Sequence, residues 1–346
     1  MGVKSSTLHD WYKNHLSGFN TPEAQRALHR HDVVIESKKG QAPRIIAVPV
    51  LKPENMGVSM ALDEKYIAGE YYSLLTNNIT GKVAMMASAH TKRELDEILP
   101  ALGDKRWEVR TLTRDLSQVY DWVGREHFMN AYHVADKFHV VRQLYEAVQD
   151  VRVFYRQQLL SEKRKQQEQF RNNPKVNQWK TKSRNTLLEN GETRAELLAR
   201  SIHLLYKKSK VWSFTQTNRA TVLFKLYPEI EKAYHVAMSF REWYSKDNIY
   251  KGNYEDAKTG IKHRRLVQEQ KLNQWYLEVE IANVPEMLNF KALVQRHQGV
   301  ILNYFIKGET NAKAEALNNI IQKIITNNVN TRNIDFAHFR LKNFLS

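Results

Sequence analysis

The sequence predicts an α/β (α+β) protein in which a mixed five-stranded sheet has helices on both faces and is interrupted by a large all-helical insertion. Short β-like runs, separated by turn signals and helices, fill residues 58–140. After Val140, about 160 residues carry the periodicity of helices without a convincing β-like run. A last helix with one apolar stripe lies within residues 301–346, so we expect the chain to return to the sheet there.

Composition limits the class of partner. The 346 residues are 42% hydrophobic, which is enough for a sizeable core and about two domains. The formal net charge is +16 and the isoelectric point is about 9.7. A surface this basic most often binds a polyphosphate, with an anionic membrane as the main competitor. We therefore expect a nucleic-acid partner.

Cysteine content and hydropathy limit the chemistry and the compartment. The chain has no cysteine, which excludes disulfides and thiolate zinc sites, so any metal is held by oxygen or imidazole. Oxygen ligands suit Mg²⁺ or Mn²⁺. No stretch approaches the roughly 18 apolar residues of a membrane span, and the N-terminus lacks the apolar region of a signal peptide. We expect a cytoplasmic protein without a membrane partner.

Residues 1–18 predict a turn followed by a short amphipathic helix that ends at Gly18. This pattern is the second half of a helix-turn-helix, in which Lys4 and Ser6 would contact DNA. An ordinary N-terminal helix explains the pattern equally well. A lone DNA-reading helix would also need another segment or chain to pack against. Residues 19–57 are interpreted as a linker whose one extended run, Arg44–Leu51, is limited by prolines to an edge or connecting role.

The segment 58–140 alternates strands and helices. Strands are predicted over 58–67, 71–77, 82–89, 107–115 and 131–136, and helices over 91–102 and 117–128. The order β-β-β-α-β-α-β matches the ribonuclease-H-like core. In that fold the first and fourth strands are neighbours, so Asp63 on the first and Asp115 at the end of the fourth can share a metal.

The predicted helical insertion, residues 141–300, contains the strongest concentration of positive charge. Residues 151–184 hold ten Lys or Arg against two Glu, with Tyr155 and Trp179 among them. Two interpretations fit this charge: a solvated helix face or a phosphate-binding surface. The excess of basic residues favours DNA binding. The candidate DNA contacts are Lys163, Arg164, Lys165, Arg171, Lys180 and Lys182, with Arg264 and Arg265 in a weaker cluster. Tryptophans in this segment are expected mostly in the core, although one could stack on an unpaired base.

Three widely spaced acids form the candidate catalytic set. Asp63 and Asp115 come from strands, and Glu315 comes from the last helix, where Asn318 and Gln322 share its face. The neighbouring apolar stripe of this helix can seat it on the sheet, and consists of Ala314, Leu317, Ile321 and Ile324. Carboxylates delivered in this way suit a site with two Mg²⁺ ions for phosphodiester chemistry. There is no nucleophile-elbow pattern and no Gly-rich phosphate loop.

Four ordered blocks resemble the ISL-three family of insertion-sequence transposases. The blocks are ALDEKYIAGEYYSLLTNNITGKV, RDLSQVY, DKFHVVRQL and ETNAKAEALNNIIQKI. The resemblance implies a DDE-type active site in which Asp63, Asp115 and Glu315 bind the metals. Asp136 and His139 match the family's D-x-x-H pair. Asp136 is an alternative second ligand, although the strand count favours Asp115, and His139 and Asn318 would lie behind the metal ligands.

The resemblance also implies partners and an activity. The expected reaction is Mg²⁺-dependent DNA strand cleavage and strand transfer at terminal inverted repeats and target DNA, in the cytoplasm at the nucleoid. Bringing two transposon ends together would require a homo-oligomer. Family members begin with a zinc module and a complete helix-turn-helix, so we hypothesise an upstream-frame partner that supplies the missing half. A ribonuclease-H-fold nuclease and a non-catalytic DNA-binding remnant remain alternatives.

Overall fold

The chain forms two compact units. The structure, a computed structural model, describes residues 5–36, 43–67, 69–172, 187–249, 257–307, 312–326 and 333–345. The first unit combines residues 1–137 with 309–346, and the second unit consists of residues 138–308. No helix in the described ranges combines the length and the apolar character that crossing a bilayer requires.

A mixed six-stranded sheet forms the centre of the first unit. Its strands, numbered along the chain, are β3 Val50–Leu51, β4 Ser59–Ile67, β5 Glu70–Asn77, β6 Val83–Ala87, β7 Thr111–Arg114 and β8 Tyr132–Ala135. Their spatial order is β3-β6-β5-β4-β7-β8, with β4 antiparallel to β5 and parallel to β7, and β7 parallel to β8. The mixed α/β class is confirmed, and the number of five strands was wrong by one.

The extra strand comes from the segment interpreted as a linker. Val50 and Leu51 pair with Met86 and Met85 at the sheet edge, in a two-residue strand that lies between Pro49 and Pro53. Proline cannot donate to a ladder, which keeps the strand short and at the edge. The same segment holds the helix Pro22–Leu28 and a two-stranded antiparallel sheet of β1 Val33–Ile35 and β2 Arg44–Ile46.

Helices cover both faces of the six-stranded sheet. The helices Lys92–Ile98 and Gln118–His127 pack on one face, where Leu62 and Leu75 belong to their apolar cluster. The helices Ala312–Thr326 and Ile334–Leu345 pack on the other, where Leu74 belongs to the second cluster. Leu74 and Leu75 are consecutive on β5 and therefore point to opposite faces. The cluster to which a strand residue belongs therefore shows which pair of helices covers its face of the sheet.

The C-terminal helix, Ile334–Leu345, supports the N-terminal segment. That segment begins with the helix Ser5–Trp11 and continues as a π-helix over Tyr12–Leu16. The ring of Phe336 lies 5.2 Å from that of Phe19 and 5.5 Å from that of His9, and the Lys342 ammonium donates to the carbonyl of Ala27. The helix predicted as half of a DNA-reading motif therefore packs within its own chain.

The described secondary structure of the second unit is helical. Its first helix, Lys137–Asn172, begins at the last residue of the N-terminal part of the first unit. The other helices are Arg194–Arg200, Ile202–Leu205, Phe214–Leu226, Pro228–Trp243, Ala257–Ala282, Pro285–Arg296 and Gln298–Lys307. Aromatic rings fill the core: Phe240 lies 4.8 Å from Trp275 and 5.3 Å from Phe290. The Trp275 indole donates to the Val236 carbonyl at 2.9 Å. Trp243 is also buried, Trp212 is half-buried, and Trp179 lies outside the described residues.

Candidate active site

The register of the parallel strands brings three aspartates into one row. β4 and β7 pair from Ser59 with Thr111 to Leu62 with Arg114, so the next residues in register are Asp63 and Asp115. β7 and β8 pair up to Arg114 with Ala135, and the next residues are Asp115 and Asp136. The Asp136 N–H donates to the Arg114 carbonyl at 2.7 Å, which continues the ladder. Adjacent strands lie about 5 Å apart, so Asp115 is about one strand spacing from Asp63 and Asp136 about two.

The row lies on the sheet face covered by the helix Ala312–Thr326. Asp63 pairs with Leu74 across the antiparallel ladder, and directly opposite residues point to the same face. Leu74 packs in one cluster with Leu317 and Ile321 of that helix, which also contacts β4. Glu315 belongs to the same helix, and its side chain lies outside the described residues, as does that of Asn318. The predicted seating of this helix on the sheet is confirmed for Leu317 and Ile321, with Ile324 partly buried beside them.

Asp115 is oriented by the turn that follows β7. The Ser117 N–H donates to Asp115 Oδ1 at 2.8 Å, and the Ser117 hydroxyl caps the next helix by accepting from the Tyr120 N–H. The Arg114 guanidinium donates to the Asp115 carbonyl at 3.0 Å. One carboxylate oxygen of the half-buried Asp115 is therefore fixed by backbone, and Oδ2 makes no hydrogen bond within the described chain.

Hydrogen bonds position both the carboxylate and the backbone carbonyl of Asp63. The Glu64 N–H lies 2.9 Å from Asp63 Oδ1, and the Tyr120 hydroxyl donates to the Asp63 carbonyl at 3.2 Å. The Tyr120 hydroxyl also lies 2.9 Å from Ser73 Oγ. Burial raises the pKa of Tyr120 well above its usual value, the Ser73 hydrogen bond lowers it, and the charges of Glu64, Asp115 and Asp63 raise it further. Tyr120 therefore stays protonated and remains a donor.

Arg114 is a buried cation directly before the second candidate acid. Its Nη2 lies 2.5 Å from Asp121 Oδ1, and Arg125 contacts the other oxygen of Asp121 at 2.6 Å. Burial lowers the pKa of Arg114, while Asp121 and then Asp115 raise it. Neither Arg114 nor Tyr120 was predicted as a site residue, although both lie in the RDLSQVY block. Their proximity to Asp115 was the signal that could have found them.

The structure describes two further predicted site residues, Asp136 and His139. Asp136 is buried directly after β8. His139 lies in the second unit near the start of the long helix, with its ring 5.7 Å from that of Phe138. Among the described side chains, no three His, Asp or Glu residues are grouped closely enough to hold a metal, and Glu315 is not among those side chains. Half-buried aspartates are nevertheless the oxygen donors that Mg²⁺ or Mn²⁺ prefers.

The predicted DNA contacts are only partly described. Arg164 and Lys165 are exposed on the long helix and Lys163 is partly exposed. Arg265 donates to Asn303 Oδ1 at 2.8 Å and is therefore engaged within the second unit. Tyr155 donates to Glu229 Oε2 at 2.6 Å, so its hydroxyl serves the fold. The other candidate side chains lie outside the described residues: Lys4, Ser6, Arg171, Lys180, Lys182 and Arg264.

Comparison with known proteins gives one family. A family model for ISL-three transposases, described as "Transposase", matches residues 60–342. No curated protein and no solved structure matches significantly. The matched region contains all three candidate acids and agrees with the four sequence blocks.

Proposed function

Because this chain belongs to the ISL-three family of transposases, we propose that it cleaves DNA strands at the ends of an insertion sequence and joins them to target DNA. The observation that carries the proposal is the row of Asp63, Asp115 and Asp136 across three neighbouring parallel strands. Asp115 and Asp136 directly follow β7 and β8, and Asp63 lies beside them in the middle of β4. Neighbouring carboxylates of this kind suit a divalent-metal site for phosphodiester chemistry.

A ribonuclease-H-like core is the proposed architecture of the first unit. The five strands of the predicted core are β4 to β8, and they are numbered here one to five along the chain. Their spatial order is then three, two, one, four, five. The second strand runs antiparallel to the first, and the fourth and fifth run parallel to it. This order supports the proposed fold because it makes the strands of the first and second acids neighbours. The edge strand Val50–Leu51 is an addition to that core.

Asp63, Asp115 and Glu315 are the proposed ligands of Mg²⁺. When bound, Mg²⁺ would lower the pKa of the attacking water or 3′-hydroxyl and stabilise the leaving 3′-oxygen. Within the chain, the Ser117 N–H orients the Asp115 carboxylate, and Tyr120 fixes the backbone at Asp63. Asp115 is favoured over Asp136 as the second ligand because it is one strand closer to Asp63.

The proposed partners follow from the reaction. The DNA substrates would be the terminal inverted repeats and the target duplex, which places the activity at the nucleoid. A homo-oligomer would hold two ends together. Arg164 and Lys165 are exposed cations suited to the phosphate backbone.

Cleavage of a labelled transposon-end duplex in Mg²⁺ tests the active site. Asp115→Asn and Glu315→Gln are expected to lose cleavage and joining while binding the duplex within about twofold of the native protein, because only metal ligation changes. Asp104→Asn is the matched control, since it removes the same charge from an exposed position in the first unit. It should cleave normally.

Asp136→Asn separates the two candidates for the second ligand. Cleavage lost in Asp136→Asn but retained in Asp115→Asn would reverse their assignment. Nicking without joining by the native protein would favour a nuclease. Binding without cleavage, with and without any upstream-frame protein, would favour a non-catalytic protein.

A further inference from the structure

A basic loop in the second unit, residues 207–214, combines lysines with exposed apolar side chains. Its sequence is KKSKVWSF. Residues 207–213 lie between the helices Ile202–Leu205 and Phe214–Leu226 and include the 3-10 turn Ser209–Val211, and Phe214 is the first residue of the second helix. Between Glu196 and Glu229 the chain has no Asp or Glu. The same interval has six basic residues: Arg200, Lys207, Lys208, Lys210, Arg219 and Lys225. The loop therefore lies in a local excess of positive charge.

Ion pairs neutralise the basic residues outside the loop. Glu192 contacts Arg219 at 2.6 Å and Arg200 at 3.3 Å, and Lys225 contacts Glu189 at 2.6 Å. Within the loop, Lys208 has one long contact of 3.7 Å, to the exposed Glu242. Lys207 and Lys210 form no ion pair with any described residue. The unneutralised charge is therefore concentrated in the loop.

Hydrogen bonds to main-chain carbonyls hold the start of the loop in place. The Tyr234 hydroxyl donates to the Lys207 carbonyl at 2.9 Å, and Arg241 donates to the Tyr206 carbonyl at 2.9 Å. Trp212 donates from its indole to the Leu204 carbonyl at 3.1 Å, and its ring lies 5.3 Å from that of Tyr234. A loop fixed in this way loses little conformational entropy when it binds a ligand.

Two apolar side chains point away from this anchored backbone. Phe214 is 80% exposed and Val211 is 61% exposed, whereas Trp212 between them is half-buried. Phe214 is the first residue of its helix, which Ser213 and Gln216 cap reciprocally. An exposed aromatic ring beside free lysines is the combination that binds unpaired nucleotides, because the ring stacks on a base and the cations bind phosphates.

We propose that the basic loop binds an unpaired DNA strand at the transposon end, with Phe214 stacked on a base and Lys207 and Lys210 on the flanking phosphates. The inference rests on the proposed function only in taking DNA as the substrate. It requires neither the metal site nor strand transfer.

The test uses DNA binding in EDTA, where cleavage cannot contribute. The probes are a transposon-end duplex with a five-nucleotide single-stranded overhang that carries 2-aminopurine, and the blunt duplex of the same sequence. Stacking quenches 2-aminopurine fluorescence. Phe214→Ala should lose the quenching and bind the overhang about tenfold more weakly, while blunt-duplex binding stays unchanged. Phe214→Trp should retain both properties. Ile281→Ala is the control, since Ile281 is 82% exposed in the same unit.

The lysines are tested by the salt dependence of binding. Lys207→Ala/Lys210→Ala should lower the log–log salt slope for the overhang probe by about 1.4, because each lost single-strand phosphate contact contributes roughly 0.7. Lys225→Ala is the control, because Lys225 pairs with Glu189.

The proposal would be overturned if Phe214→Ala left both the quenching of 2-aminopurine and the affinity for the overhang probe unchanged. So would Phe214-dependent binding to phosphatidylserine vesicles with no effect on DNA, which would assign the loop to a membrane. A native protein that binds and quenches the overhang but does not cleave DNA in Mg²⁺ would support this proposal while refuting the proposed catalysis.

Discussion

Acidification is expected to weaken the attachment of the C-terminal helix to the sheet through His338. This side chain is buried, and its Nε2 lies 2.6 Å from the hydroxyl of the buried Tyr72 on β5. Burial lowers the pKa of His338 from 6.5 to about 4, while Asp335 and Asp32 act in the opposite direction. The folded state therefore holds a neutral imidazole that the unfolded state protonates more readily.

The sign and size of the effect follow from the two pKa values. The folded-state pKa is depressed, so the stabilisation is complete above pH 6.5 and is lost as the pH falls towards 4. The full difference corresponds to about 3 kcal/mol of unfolding free energy, of which about 2 kcal/mol is lost between pH 7 and pH 5.

Urea unfolding at pH 7 and pH 5 measures this loss, with hydrogen exchange of residues 334–345 reporting the helix itself. His338→Gln should reduce the pH-dependent loss by about 2 kcal/mol, whatever its effect at pH 7, because the titrating group is gone. His235→Gln is the control, since the His235 side chain is 66% exposed. An equal loss in native protein and His338→Gln would refute the reasoning.

Two further predictions concern packing. Ile321→Ala should cost about 2–5 kcal/mol of unfolding free energy because Ile321 is fully buried on the helix that carries Glu315. The control Ile320→Ala, at a 40% exposed position, should change the unfolding free energy by no more than about 0.5 kcal/mol. Equal costs of the two substitutions in urea unfolding would contradict the packing of this helix on the sheet. Trp275→Phe should cost about 0.5–1.5 kcal/mol because it removes the hydrogen bond that the buried indole donates to the Val236 carbonyl, and a neutral result in thermal unfolding would show that this hydrogen bond is unimportant.

Local patterns were sufficient for the elements of the sheet but not for all of its edges. The short β-like run of Ser59–Ile67 and the turn between Asn77 and Val83 predict strands from local chemistry. Val50–Leu51 has only two residues in the ladder, too few for a periodic signal, and its neighbouring prolines favour a connector. The sixth strand could therefore be found only from its pairing.

The candidate site, like the sheet, could be predicted only in part from local sequence patterns. Asp63 and Asp115 were selected by residue type and strand order, but their shared row depends on a ladder register that no single segment encodes. The roles of Arg114 and Tyr120 were missed because a charged residue is expected at the surface and a tyrosine in the core. In the structure Arg114 is buried against Asp121, and the Tyr120 hydroxyl reaches the backbone of Asp63.

The contact between the chain's two terminal segments has a consequence for synthesis on the ribosome. Phe19 and Leu28 form a buried apolar cluster with Phe336, which is translated more than three hundred residues after Phe19. At roughly 5–20 residues per second, the nascent chain carries these apolar side chains for about 15–60 s before the C-terminal helix can cover them. The first unit therefore completes its folding only after translation has reached this helix, and until then the apolar side chains of its N-terminal segment lack their C-terminal packing partner.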